Sequence, residues 1–149
     1  MIDLRTTAEI RAAEAVPLAV LPDGALMRRA ATALEVACAE ILEAAGAPAT
    51  GSNVVVLVGS GNNGGDGLEA AMHLQRAGRR VVVTWLGTPE HAPADARQSW
   101  QRALDAGVTW ADEAPPGMTA ADLCIAAVLG IGIASTAPAR APDLRLLGV

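Results

Sequence analysis

Residues 54–67 read Val-Val-Val-Leu-Val-Gly-Ser-Gly-Asn-Asn-Gly-Gly-Asp-Gly. A short apolar strand runs straight into a segment with five glycines in nine residues, Gly59 to Gly67. The stretch Leu68 to Ala77 then reads as an amphipathic helix that Gly78 ends. Strand, glycine loop and helix in that order point main-chain N–H groups at one spot, the start of the helix, where an anion can be held. A bare phosphate cradle needs no side chains, so Asn62, Asn63 and Asp66 imply that the loop contacts more of a ligand than its phosphates. Taken separately, each residue also suits a tight turn: Asn and Gly tolerate positive φ, and Asp caps helices.

The rest of the chain repeats the alternation. Thr6-Thr-Ala-Glu9 is a capping box and predicts a helix from Thr7 to about Val16, stopped by Pro17. Asp23 is positioned to cap a second helix, in which Leu26, Ala30, Leu34, Ala37, Ile41 and Ala45 recur at helical spacing before Gly46. Strands are expected at Asn53–Val58, Arg80–Leu86, Val108–Trp110 and Asp122–Leu129, with a helix over Ala94–Ala106 and a Pro- and Gly-containing loop over 112–119. The apolar run in the last strand lacks alternation, as in a strand buried on both faces. The expected fold class is therefore α/β, with a mostly parallel sheet and helices on both faces. Strand 53–58 is expected at its centre. Ligands of such sheets bind beyond the C-terminal strand ends, where Gly59–Gly67 and Gly130-Ile-Gly132 both fall. The chain divides into a helical N-terminal region, 1–46, an α/β region, 53–133, and a tail, 134–149, without periodicity.

Composition narrows the function. The 149 residues carry a net charge of −5, which speaks against nucleic acid as a partner. All 11 basic residues are Arg, which removes the lysine of a P-loop and Schiff-base chemistry. Gly59-x-Gly61-x-x-Gly64 matches the short dinucleotide pattern, but the next strand ends Thr84-Trp85-Leu86-Gly87, with no carboxylate for a ribose. Ordinary NAD-dependent hydride transfer is thus disfavoured. Cys38 and Cys124 sit among apolar residues outside any metal or redox spacing, so buried, reduced thiols and a cytoplasmic setting are expected. No apolar run is long enough to span a bilayer. His73 reads as a solvated or core-edge histidine, and His91, Asp112 and Glu113 as exposed loop residues. The apolar positions Leu18, Val20, Leu21, Leu26, Leu34 and Ile41 lead to an expectation of self-association.

The full string Gly-Ser-Gly-Asn-Asn-Gly-Gly-Asp-Gly after a Val-rich strand resembles the YjeF N-terminal domain family, the NAD(P)H-hydrate epimerases. Ala12-Ala13-Glu14 and Leu26-Met27-Arg28-Arg29-Ala30-Ala31 fit the family's N-terminal helices, with Ala31 in place of a glycine. The resemblance implies a Rossmann-like three-layer αβα sandwich and interconversion of the R and S epimers of hydrated NADH or NADPH, a nucleotide repair reaction. It implies a substrate site at Asn62, Asn63, Gly64, Gly65, Asp66, Gly130 and Gly132, and a potassium ion held through the side-chain oxygen of Asn63. A homodimer, and a dehydratase domain or partner of the same pathway, are implied as well. Asp122-Leu-Cys-Ile-Ala126-Ala-Val-Leu-Gly130-Ile-Gly132 follows the family's Asp-x-x-x-Asp-x-x-x-Gly-x-Gly, except that Ala126 replaces the acid–base carboxylate. Ile131 stands where a small polar residue is usual, and the chain ends before the family's Asp-x-Pro-Ser-Gly motif, so a domain incomplete at its C-terminus is expected. Three readings stay open: an epimerase, a non-catalytic binding or dimerisation module on the same fold, and a truncated inactive fragment.

Overall fold

The computed structural model describes residues 5–87, 89–112 and 122–130. The elements are α1 (Thr7–Leu18), α2 (Ala25–Ala44), β1 (Asn53–Val58), α3 (Asn62–Arg76), β2 (Arg80–Trp85), a 3-10 turn (Pro89–His91), α4 (Ala94–Asp105), β3 (Thr109–Trp110) and β4 (Leu123–Ala127). The strands form one sheet in the order β3-β2-β1-β4, with every pairing parallel. That order is the half-sheet of a doubly wound fold, with the chain reversing direction between β1 and β4. β1 lies inside the sheet, as its unbroken apolar run requires: Val54 to Val58 are all buried.

Register assigns each face. Val54, Val56, Val58, Val81, Val83 and Ile125 share one face and one core with Cys38 and Leu42 of α2, Leu68, Met72 and Leu74 of α3, and Ala103 of α4. The helices α2, α3 and α4 thus form the layer on that face. Val55 and Leu57 point the other way, aligned with Cys124 and Ala126 of β4. β4 accordingly alternates, with Ile125 and Ala127 buried and Cys124 and Ala126 exposed. The expectations of a strand buried on both faces and of a buried Cys124 are corrected: among the described residues β4 pairs only with β1, and α2–α4 cover only one of its faces.

Three helix boundaries differ from the sequence expectation. α1 continues through Pro17, which sits in its last turn. The N-cap of α2 is Gly24 at φ 70°, not Asp23, whose carbonyl instead accepts from Arg28 Nη1 at 3.2 Å. α2 also buries Met27, Ala31, Cys38 and Leu42, a stripe displaced by one residue from the expected one, and Ile41 is exposed. Alanine makes two adjacent stripes equally apolar, so spacing alone does not select between them. The third correction matters most. α3 begins at Asn62, so most of the glycine segment is the first two turns of a helix rather than a loop.

Candidate functional site

Glycine in a helix usually weakens it, so Gly64, Gly65 and Gly67 need a reason. None has positive φ. The reason is proximity. A Cβ on Gly64 would fall on the Gly59 carbonyl oxygen and 2.9 Å from its carbon. On Gly65 it would lie 2.6 Å from Met27 Cε, and on Gly67 2.5 Å from Ala127 Cβ. These glycines let the N-terminal end of α3 press on the β1 turn, α2 and β4. The positive-φ turn reading is therefore corrected, and so is Asp66 as a cap: the N-cap is Gly61, which offers no side chain. The N–H groups of the first turn are left without intrahelical acceptors.

Asn63 completes the junction. Its Nδ2 donates to the Leu129 carbonyl at 3.2 Å, and its Cβ lies 3.1 Å from the site a Gly130 Cβ would occupy. The two glycine segments seen in the sequence thus meet. Above them opens a cavity of about 720 Å3. Ser60, Gly61, Asn62, Asn63 and Asp66 form one side, and Val128, Leu129 and Gly130 another. Ile10, Arg11 and Glu14 of α1 and Pro93 before α4 close it. Of the expected site residues, Asn62, Asn63, Asp66 and Gly130 line this cavity. Gly64 and Gly65 are buried beneath it as packing positions. Gly132 and Ile131 lie outside the described residues.

The carboxyl of Asp66 is pushed up to about 6 from 3.8, first by burial and then by the negative charges of Glu14 and Glu69. Glu69, one turn further along α3, is buried and held by α4: Arg102 Nε and Ser99 Oγ each donate to Oε1 at 2.8 Å, and Arg102 Nη2 reaches the same oxygen. Ser99 Oγ also lies 3.0 Å from Met27 Sδ, so one polar cluster ties α2, α3 and α4 beneath the cavity. Sequence reasoning missed this cluster and the α1 wall. Neither leaves a local signal, because the partners are 30 or more positions apart.

Ala126 and Asp122 behave unlike one another. Asp122 Oδ1 accepts from Asn53 N at 3.3 Å and Asn53 Nδ2 at 2.7 Å, fastening β4 to the beginning of β1, at the opposite end of the strand from the cavity. Ala126 is exposed on the sheet face that Val128, a cavity wall, continues. His73 Nδ1 lies 3.0 Å from Glu35 Oε2, a link between α3 and α2, and His91 is exposed. Among the described residues no group of three or more His, Cys, Asp or Glu is arranged to hold a metal, and no helix is long and apolar enough to cross a membrane. Asn63 does suit a large monovalent cation: its amide nitrogen is engaged, leaving the neutral amide oxygen as a donor.

A parallel α/β domain with a glycine-built cavity at the C-terminal strand ends has that cavity where ligands of such sheets bind. The chain belongs to the family described as YjeF-related protein N-terminus, which matches residues 23–144. It is 40% identical over 133 residues to an NAD(P)H-hydrate epimerase of Bordetella pertussis, covering 89% of this chain and 54% of that protein. It is 36% identical over 109 residues to an NAD(P)H-hydrate epimerase of Rhodobacter capsulatus, covering 72% of this chain and 51% of the relative. Over 69 residues, 46% of this chain and 15% of the other, it is 55% identical to a bifunctional NAD(P)H-hydrate repair enzyme, Nnr, of Mycobacterium tuberculosis. The chain thus spans about half the length of the two epimerases and a smaller share of the bifunctional protein. The crystal structure of the yeast protein ynu0 shares the fold, with a TM-score of 0.69 at 22% identity over 93% of this chain and 61% of that one.

Proposed function

We propose that this chain is an NAD(P)H-hydrate epimerase-type module whose cavity takes hydrated NADH or NADPH. The observation that carries the proposal is the meeting of the two glycine segments through Asn63 and Leu129 at the cavity floor. It is supported by the family match and by the names of the relatives. Asn62, Asn63 and Asp66 contact the substrate, Gly64 and Gly65 shape the backbone that holds its phosphates, and Gly130 belongs to the opposite wall. Asn63, through its Oδ1, would hold a potassium ion, which would supply positive charge to the site. A dehydratase domain or partner of the same repair pathway, which the family resemblance implies, would work on the same hydrated nucleotide, and the bifunctional relative's name, NAD(P)H-hydrate repair enzyme, supports such a pairing.

The chemistry required is modest. The hydrated ring carries a hydroxyl on C6, beside the ring nitrogen. A proton given to that hydroxyl lets water leave, and the nitrogen lone pair delocalises the resulting charge. Water adds back from the other face and returns the proton, so nothing is consumed. A proton carrier near neutrality is needed. Asp66, held near 6 beside the cavity, is the carboxylate we assign to it, since Ala126 cannot serve. The test is chromatographic: hydrated NADH enriched in the S form, incubated with the chain, approaches the epimer equilibrium faster than it does alone. A rate equal to the spontaneous one rejects the activity.

Ala126 favours a second reading, a binding module on the same fold without catalysis. In that case the hydrated nucleotide binds but the epimer ratio relaxes at the spontaneous rate.

A further inference from the structure

α1 is a well-formed helix that does nothing for the core. Its capping box is complete, with Thr6 and Glu9 bonded reciprocally, yet none of its residues is buried. Its engagement with the rest of the chain is at the cavity, where Ile10, Arg11 and Glu14 form one face of the helix. Only Ile10 and Pro17 of α1 are half-buried, and its exposed Arg11 and Glu14 line the cavity. The charges around the cavity are unequal. Glu14 and Asp66 are acidic, and Arg11 is the one basic side chain among the described lining residues. Arg11 has no hydrogen bond or ion pair within the described residues, although Glu14 is three positions on. A dinucleotide brings a doubly charged pyrophosphate into a cavity already lined by two carboxylates, and a guanidinium pairs with phosphate oxygens in a two-pronged geometry.

We propose that Arg11 pairs with the phosphates of the bound dinucleotide, which makes α1 a working wall of the binding site. The proposal rests on the functional reading above and adds a residue outside both glycine segments. Arg11 is a positioning residue: it holds the phosphates and takes no part at the reacting ring.

The experiment is calorimetric titration of the full chain with hydrated NADH and, separately, with ADP-ribose, which has the pyrophosphate but no nicotinamide. Parent, Arg11→Gln and Arg11→Lys are compared, each in rising sodium chloride. Arg11→Gln is expected to weaken both ligands about tenfold and to flatten the salt dependence, and Arg11→Lys to recover part of the affinity. Thermal midpoints should stay equal, because Arg11 is exposed. If Arg11→Gln binds both ligands as the parent does, the assignment of Arg11 is overturned and the epimerase reading stands. If the affinity falls with an unchanged salt dependence, Arg11 is not a phosphate partner. If the parent binds ADP-ribose in an Arg11-dependent way but not hydrated NADH, the assignment holds and the substrate reading fails. A parent that binds neither ligand overturns both.

Discussion

Asn63 Nδ2 donates to the Leu129 carbonyl at 3.2 Å, so a single side chain holds the first turn of α3 to the chain leaving β4. Replacing Asn63 with Ala should open that junction and remove the amide oxygen assigned to potassium. Affinity for hydrated NADH is expected to fall, together with any difference between potassium- and sodium-containing buffer. Titration in the two salts checks this, and an unchanged potassium effect would remove Asn63 from the cation site.

Ala126→Asp should raise turnover more than affinity. Ala126 is exposed, so a carboxylate there costs the core nothing, and it lies on the face that Val128 carries into the cavity. A well-placed acid or base is worth roughly 100- to 10,000-fold. Steady-state rates of epimerisation, compared with the parent in folded protein, decide it. No gain would mean that position 126 does not reach the reacting ring.

Glycine positions at the start of α3 and at its N-cap should divide by what a methyl group meets. Gly64→Ala places a carbon on the Gly59 carbonyl and should cost about 3 kcal/mol or more. Gly61→Ala meets nothing within 4 Å and has φ −90°, so it should cost about 1 kcal/mol or less. Denaturant midpoints of the two variants measure the contrast.

Asp66 should make the fold less stable as pH rises. Its carboxyl is raised from 3.8 to about 6, so the folded state holds the proton more tightly. The stabilisation is fully present below about 4 and is lost as pH climbs through about 6. Burial, and after it the charges of Glu14 and Glu69, enforce this, while Arg11 lines the same cavity. Asp66 is only partly buried, so solvent screening reduces the effect to about 1 kcal/mol. Asp66→Asn should exceed the parent in stability near neutral pH and match it in acid, as read from melting curves across pH.

Arg102→Ala should strand the buried carboxylate of Glu69 and cost about 3 kcal/mol, while Glu69→Met combined with Arg102→Met should recover most of that. A double-mutant cycle on denaturant midpoints separates the pair from the packing.

Self-association is the remaining expectation. Val16, Leu18 and Val20, at the end of α1 and just beyond, and Val36 and Ile41 on α2 are all more than half exposed. Light scattering at tens of micromolar, a range in which specific interfaces are populated, should show a dimer.

The sequence carried the architecture where periodicity and burial coincide. β1 is legible at both ends because a short, Val-rich apolar run between Gly51 and Gly59 fits an interior strand, and Gly46 and Gly78 both adopt the positive φ that ends a helix. The site's location was legible from two glycine segments at strand ends. What was hidden depends on distance. Nothing near Gly64 in sequence reveals that the Gly59 carbonyl lies against it, so a helical glycine looks like a turn. Nothing near Arg11 or Glu14 reveals the cavity they wall. The α2 stripe was misplaced by one position because alanine occupies both candidate faces.

The position of β4 bears on synthesis at the ribosome. Asn53 waits for Asp122, 69 positions later, before the second side of β1 can be closed. A nascent chain can therefore assemble β1, α3 and β2 early, with the floor of the pocket still open to one side. The last described strand to emerge brings Leu129, and with it the acceptor for Asn63. A ligand that touches both segments would act as a clasp on this late-arriving edge, so that occupancy and completion of the sheet reinforce one another.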